Sequence, residues 1–246
     1  MSIKVATLNL RHNNNRWPER LPLVLDTLID ESPDVIGLQE VWLPIHQSEL
    51  ILNGLNARTD RPYSVFTGQK WGEDLEEGIA MLSRLPVHAY EHTNLPETTR
   101  LAQRLRIAVD GQYIEIVNTH LHHKPSDETI RLPQMQHILR WMADREYDYR
   151  WILMGDMNAE PTSSTIQAAS QHLISALPTD VVTFPAPLRA SEYPSDLALQ
   201  IDHILYDASR LHLLKAAVIA QQTHAQDATL SASDHYGLAA EFALVS

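Results

Sequence analysis

Trp151-Ile152-Leu153-Met154-Gly155-Asp156-Met157-Asn158-Ala159-Glu160-Pro161 is the stretch from which the fold is read. Four apolar residues run into a glycine, and a carboxylate and an amide follow two positions apart. The run is short and bounded by Gly and Pro, so it reads as a buried strand rather than a helix. A strand buried on both faces ends where the chain turns to solvent, and Asp156 and Asn158 stand at that end. The i, i+2 spacing sends both side chains to one side for as long as the backbone stays extended. A carboxylate beside an amide at a strand end can hold a metal ion or phosphoryl oxygens. Gly, Asp and Asn are also turn formers, so the tetrapeptide alone reads equally well as a turn.

Working outward, residues 3–10 alternate and predict a strand. Residues 17–31 carry Leu21, Val24, Leu25, Leu28 and Ile29 at helical spacing, and Ser32-Pro33-Asp34 ends that helix. Residues 35–38 predict a short buried strand, and 45–55 a helix closed by Asn56. Residues 63–66, 79–82 and 87–91 follow as short strands. Asp110-Gly111 between the alternating runs 101–109 and 113–118 is a hairpin signal. Residues 126–145 form a long helical pattern and 163–169 a short one. Residues 181–194 are proline-rich and read as irregular; 200–206, 211–219 and 237–244 close the chain as strands. No repeat, low-complexity tract or long linker divides the chain. Residues 1–246 are therefore read as a single α/β domain, with sheet packed on sheet and helices outside.

Composition narrows the function. The chain has 31 acidic and 19 basic residues, a formal net charge of −12. A protein that draws affinity from nucleic-acid phosphates usually presents a basic face, so a tight non-specific nucleic-acid binder is disfavoured. The absence of cysteine removes disulfides, thiolate metal sites and a cysteine nucleophile. No apolar run reaches the length of a membrane span. Met1-Ser2-Ile3-Lys4-Val5-Ala6 lacks the pattern of a signal peptide. The expectation is a cytoplasmic protein with no membrane anchor and no obligate protein partner.

The chemistry lies in what stands where each apolar run stops. The ends carry Asn9, Gln39-Glu40, Asn118-Thr119-His120, Asp156 with Asn158, Asp202-His203 and, before the last strand, Ser233-Asp234-His235. One such residue is usually a cap. Six runs of compatible chemistry point to a common rim. Glu40, Asp156 and Asp234 are hard oxygen ligands and Asn9 and Asn158 neutral ones, a set that favours magnesium or manganese over zinc. His120 and His235 can exchange protons near neutral pH, and Asp202 can orient an imidazole. Hydrolysis of a phosphoester needs a cation on the phosphoryl oxygens, a base for water and donors for the growing charge. No Gly-x-Ser-x-Gly elbow, Walker loop or Gly-x-Gly-x-x-Gly is present. The His120-Leu121-His122-His123 run lacks the Asp-His that follows the second histidine in metallo-β-lactamase-like hydrolases.

The ordered set resembles the endonuclease/exonuclease/phosphatase superfamily, which includes deoxyribonucleases, abasic-site endonucleases, sphingomyelinases and inositol polyphosphate 5-phosphatases. The matching pieces are Thr7-Leu8-Asn9, Leu38-Gln39-Glu40, Glu77-Gly78-Ile79-Ala80, Asn118-Thr119-His120-Leu121, Gly155-Asp156-Met157-Asn158, Ile201-Asp202-His203 and Ser233-Asp234-His235. The resemblance implies a four-layered α/β sandwich, two mixed β-sheets face to face with helices outside, and a divalent metal, usually Mg2+, with Mn2+ as a substitute. It makes Glu40 the principal metal ligand with Asn9 beside it and Asp234 nearby. It makes Asp156 and Asn158 the pair that orients water and holds phosphate. His235, oriented by Asp202, becomes the base or phosphate donor, and His120 the second imidazole, oriented by Glu77. Val41-Trp42 after the Gln-Glu pair departs from the abasic-site branch, and the inositol phosphatase motifs are absent.

The reading that follows is a metal-dependent phosphoester hydrolase, a phosphodiesterase acting on a small or single-stranded substrate. A nuclease proper and a catalytically inert scaffold are the alternatives. A nuclease needs a basic patch beside the rim, and an inert scaffold would have lost ligands. Among secondary candidates, Arg131 and Gln134 share a helix face. Arg16, Trp17 and Arg20 are placed to frame a phosphate, while His122, His123 and Lys124 follow the His120 strand. Trp42 and Trp71 are assigned to loops over the rim.

Overall fold

The computed structural model describes residues 2–124, 127–143 and 150–245. In chain order the first half comprises β1 (Ser2–Asn9), α1 (Trp17–Glu31), β2 (Val35–Trp42), α2 (Gln47–Asn56), β3 (Ser64–Gln69), β4 (Glu77–Ser83), β5 (Val87–Asn94), β6 (Leu101–Val109) and β7 (Gln112–His120). The second half comprises α3 (Glu128–Ala143), β8 (Arg150–Asp156), α4 (Ser164–Ala169), β9 (Ile174–Ser175), β10 (Asp202–Tyr206), β11 (Leu211–Ile219), β12 (Thr223–His224), β13 (Asp227–Ser231) and β14 (Gly237–Leu244). One six-stranded sheet has the order β11-β14-β1-β2-β4-β3 and the other β5-β6-β7-β8-β10-β9; β12 and β13 pair apart from both. Each large sheet is mixed, because β1 and β2 run parallel in the first and β7 and β8 parallel in the second.

Three apolar layers build the sandwich. Ile3, Val5, Val35 and Met81 of the first sheet meet Ile114, Ile116, Ile152, Met154 and Ile204 of the second. On the outer face of the first sheet, Leu8, Ile36, Leu38 and Leu82 pack against Val24, Leu25 and Leu28 of α1 and Ile51 and Leu55 of α2. On the outer face of the second, Val117, Leu153 and Leu205 pack against Met135 and Ile138 of α3 and Ile166 of α4. The order helices, sheet, sheet, helices is the four-layered α/β sandwich. Among the described residues no helix is long and apolar enough to cross a membrane.

The departures from the sequence reading have local causes. The strand expected over 35–38 runs on to Trp42, because a register shift against β4 between Leu38 and Val41 breaks the alternation without ending the pairing. Trp42 is thus a strand residue, stacked on the His12 ring at 5.3 Å. The helix expected from residue 45 begins at Gln47, after a single 3-10 turn over Leu43–Ile45. Glu128–Ala143 is helical within the expected 126–145; Ser126, Asp144 and Arg145 lie outside the described residues. The two-residue strands β9 and β12 and the five-residue β13, with Ala228 and Leu230 as its apolar residues, carry too little apolar pattern to be read.

Gly155 sits where β8 meets β7. Its φ is 138°, and a Cβ there would lie 2.0 Å from the Thr119 carbonyl oxygen. Gly155→Ala is expected to destabilise the protein by on the order of 3 kcal/mol through backbone strain and a forced separation of the two strands. Urea unfolding measures this, and a loss under about 1 kcal/mol would contradict the close approach.

Candidate active site

Side chains alternate along a strand, so the residues that share a face with the inter-sheet core follow from parity. On β1, Ile3 and Val5 face that core, and Thr7 and Asn9 have the same parity. The series continues as Val35 to Gln39 on β2, Ile114 and Ile116 to Asn118 and His120 on β7, Ile152 and Met154 to Asp156 on β8, and Ile204 to Asp202 on β10. At one end of the sandwich the core face therefore changes from apolar to polar. The first polar layer is structural. Gln39 Nε2 donates to Thr7 Oγ1 (2.9 Å) and Asn118 Oδ1 (2.7 Å), and Asn118 Nδ2 donates to the Leu38 and Ala80 carbonyls, which ties the sheets together. Buried polar groups cost little only when paired in this way.

Above it lie Asp156, Asp202 and His235, all buried, each with a potential ligand atom within 4.8 Å of the others. His235 Nδ1 is 2.9 Å from Asp202 Oδ2, and Nε2 is 3.9 Å from Asp156 Oδ2. The Asp202 backbone is held by Thr183 Oγ1, which accepts from the Ile201 and Asp202 amides. The Phe184 ring packs on His235 with centroids 4.9 Å apart. Burial opposes charge on His235, but Asp202 and Asp156 outweigh it and hold the imidazolium up to about 10. Burial, seconded by Asp202, pushes the Asp156 carboxyl upward.

Glu40 arrives by a different route. It lies in the register shift of β2 with φ at 50°, and such irregularities re-aim a side chain. Asn9 Nδ2 then bridges Asp156 Oδ2 (2.9 Å) and Glu40 Oε1 (3.3 Å), while Asn9 Oδ1 accepts from the Arg11 amide. The Asn9 oxygen, the atom that would ligate a metal, is thus turned to Arg11, and its amide nitrogen faces the two carboxylates. Two carboxylates converging on a single NH2 group form an oxygen donor set that suits a hard divalent cation.

Asp156 and Asn158 do not share a face through an extended backbone. Asn158 has φ 47°, its amide donates to Asp156 Oδ1 (2.9 Å) and its Nδ2 to the Leu121 carbonyl (3.2 Å). The Gly155–Asn158 tetrapeptide is the end of β8 followed by a bend at Asn158, and it is also part of the site. Both residues line a cavity of about 580 Å³ together with Glu40, Asp234 and His235.

His120 is buried, with Nε2 3.4 Å from Asp156 Oδ2 and Nδ1 3.7 Å from Glu77 Oε1. The expected Glu77–His120 pair is outside hydrogen-bond distance. Glu77 is drawn instead to His12 (2.7 Å) and Lys70 (2.8 Å). Burial works against the Glu77 charge, but His12, Arg100 and Lys70 prevail and hold it at about 2. Burial, and then Arg100 and Lys70, keep the His120 imidazole neutral, well below its ordinary range. Asp234 carries a cationic escort. Arg189 lies 3.3 Å and Arg11 3.5 Å from its Oδ2, so its charge is shared with two guanidiniums.

Several cavity residues escaped the sequence reading. Arg11, Phe184, Arg189 and Tyr193 line the cavity; the last three come from the segment read only as irregular. The Thr183-Phe184 pair just before a proline was the available signal. Arg131 is buried and bonds the His122 and Lys124 carbonyls, and Gln134 Oε1 takes the His122 amide, so both brace the loop after β7. His122 pairs with Asp127 (3.0 Å), away from a shared site with His120. Trp17 and Arg20 are buried rather than placed to frame a phosphate, while Trp71 is exposed.

A buried Asp–His pair thus stands beside a second carboxylate pair on a polar strand-end rim. The sequence model of the Endonuclease/Exonuclease/phosphatase family matches residues 6–235. The chain belongs to that family, whose members act on phosphoester bonds. No curated protein sequence matches it significantly. Among solved structures it resembles the mannosyl-6-phosphatase of Bacteroides thetaiotaomicron VPI-5482, with 19% identity over 99% of this chain and 100% of that one at a TM-score of 0.79. It also resembles D. rerio TDP2 complexed with single strand DNA product, at 16% identity, 98% and 99% coverage and a TM-score of 0.79. The human Nocturnin catalytic domain with bound sulfate follows at 20%, 99% and 94%, and 0.76. Identities this low establish the fold alone.

The His235 charge gives a prediction for the metal-free protein. Its folded pKa is raised, so the stability it contributes is complete below the imidazole's ordinary 6.5 and is lost as pH rises through about 10. Asp202→Asn removes the nearest carboxylate charge. The His235 imidazole resonance should then titrate at lower pH by NMR, and the stability slope between pH 6.5 and 10 should flatten. An unmoved titration would contradict the pairing.

Proposed function

We propose that the protein is a divalent-metal-dependent phosphodiesterase acting on a small or single-stranded phosphoester. The observation that carries this reading is the His235–Asp202 contact at 2.9 Å facing Asp156, which Asn9 links to Glu40 within one cavity. Glu40 and Asp156 would hold the cation, with Mg2+ as the first choice and Mn2+ as a substitute for an all-oxygen set. When bound, the cation would neutralise charge on the phosphoryl oxygens.

The side chains divide the remaining work. Asp202 fixes the His235 ring, leaving Nε2 for the attacking water. Asp156 is one of the two carboxylates that hold His235 protonated; a cation held by Asp156 would offset that charge and let His235 fall toward the range in which imidazole accepts a proton. Asn158, locked by its bend, is a neutral donor for a phosphoryl oxygen. His120, buried and neutral, is the second imidazole beside Asp156. Arg11 and Arg189 offset the Asp234 charge next to His235 and supply donors at the cavity wall.

Cavity size and charge favour a compact substrate. About 580 Å³ lies in the range of small-molecule sites, and Arg11, Arg131 and Arg189 are interspersed with Glu40, Glu128, Glu160 and Asp234 rather than forming a basic track. A sugar phosphate and a short single strand, the ligand types named for two of the structural neighbours, both fall within this class.

Glu40→Gln and His235→Ala should each lower Mg2+-dependent hydrolysis of bis(p-nitrophenyl) phosphate by about 100-fold or more, the scale of a lost acid–base group or metal ligand. Wild-type turnover in both variants would refute the assignment. Chelation with EDTA should abolish activity and added Mg2+ or Mn2+ restore it; activity indifferent to chelator would remove the metal from the reaction.

A further inference from the structure

Among the described residues the largest fully buried side chain is an arginine, Arg20, in the first turn of α1. Among the described residues it has no carboxylate within ion-pair distance; its guanidinium is spent on backbone carbonyls. Nε donates to Asn14 O (3.2 Å) and Asn15 O (3.0 Å). NH1 donates to Leu10 O (2.8 Å) and Ala232 O (2.9 Å). NH2 donates to Arg11 O (3.4 Å), His12 O (3.1 Å) and Asn14 O (2.6 Å). Trp17 covers one face of the guanidinium, 5.1 Å from its ring centre.

These carbonyls belong to the two loops that flank the catalytic centre. The first follows Asn9 and carries Arg11 and His12. The second runs from Ala232 into Asp234 and His235. The first loop is strained: Arg11, His12, Asn15 and Arg16 have φ of 59°, 48°, 49° and 66°, the left-handed region that side chains other than glycine's avoid. Strain of this kind persists only where the surroundings over-determine it. The same loop also reaches Glu40, because the His12 amide donates to the Glu40 carbonyl at 3.0 Å and the Leu10 amide to the Gln39 carbonyl at 2.9 Å.

We propose that Arg20 is a positioning residue for phosphoester hydrolysis, holding the strained Leu10–Arg16 loop in shape and fastening it to the Ala232–His235 loop so that Glu40 and His235 face each other across the cavity. This rests on the hydrolase reading above. Burial draws the guanidinium down to about 10, and Asp234 counters that pull, so the group stays cationic at neutral pH. No other residue type fits. A lysine has three donors on one atom and cannot span six carbonyls; the planar fork of arginine can.

Arg20→Lys tests this with two readouts. Amide hydrogen exchange should rise in residues 10–16 and 232–235 and stay unchanged in the sheets and the rest of α1. The kcat on bis(p-nitrophenyl) phosphate with Mg2+ should fall about tenfold or more, since small misplacements of reacting groups are costly. Adding Asn15→Gly, which removes strain at a left-handed position, should recover part of both losses. Faster exchange throughout the chain, or failure of Arg20→Lys to fold with and without Asn15→Gly, would assign Arg20 to general stability and overturn the proposal. Wild-type exchange in both loops would also overturn it. If the wild-type protein shows no metal-dependent hydrolysis, the hydrolase reading fails by itself, and the exchange experiment still decides whether Arg20 joins the two loops.

Discussion

The structure depends on one change of character within a single interface. The faces that the two sheets turn toward each other are apolar for most of their length and polar at one end. Ile3 and Val5, Ile114 and Ile116, and Ile152 and Met154 seal the sheets; Asn9, Asn118, His120 and Asp156 continue the same faces. Strand alternation makes this continuation automatic. Once the apolar residues are buried, the polar ones of the same parity must enter the same gap. The polar residues are therefore aligned by the hydrophobic core, at a rigid end where neighbouring strands are fixed by hydrogen bonds. Gln39 and Asn118 lie between the two regimes and join the sheets through Gln39 Nε2 and Asn118 Oδ1, while Gln39 Oε1, both His120 ring nitrogens and Asp202 Oδ1 are buried without a hydrogen-bond partner.

Charge is managed by the same economy of placement. Five carboxylates, Glu40, Glu77, Asp156, Asp202 and Asp234, are gathered near one end of a protein whose net charge is −12. Three of them have a cationic escort. Asp202 has His235, Asp234 has Arg11 and Arg189, and Glu77 has His12 and Lys70. Glu40 and Asp156 share the neutral amide of Asn9; His12 lies 3.5 Å from Glu40, and His120 and His235 lie 3.4 Å and 3.9 Å from Asp156. A buried charge needs a counter-charge or full hydrogen bonding, and among the described residues these two carboxylates make no hydrogen bond to an ionisable side chain, whereas the other three do. That imbalance is the physical ground for placing a cation beside them. The backbone departs from ordinary conformations around them, at Arg11, His12, Glu40 and Asn158.

Much of the fold was legible in the chain. The strands with strong alternation or unbroken apolar runs, such as β6, β7 and β11, lie where the pattern puts them, because burial of one face demands that pattern. The site was legible as residue types at strand ends, since acids, amides and imidazoles stand out against apolar runs. It was not legible as pairings. Glu77 was expected to orient His120, yet it stands 3.7 Å away and pairs with His12, a residue from a loop 65 positions earlier in sequence. Asn158 was expected to follow Asp156 on an extended backbone, and the bend at φ 47° redirected it. Arg189 and Tyr193 lie in a segment with no periodicity, where sequence carries no directional information.

Alone, the sequence determined the layers and the set of chemical groups at the strand ends, because hydrophobic periodicity is a local property that burial enforces residue by residue. In Trp151–Pro161 it determined a strand that stops at Asp156. The tertiary structure decided which groups meet. The bulge that turns Glu40 toward Asn9, the contact that joins His235 to Asp202 and the Ala232 carbonyl that meets Arg20 all join residues distant in the chain. Partner choice at such distances is set by the packing of whole layers and by the requirement that every buried charge be answered, and neither is written in the spacing of neighbouring residues.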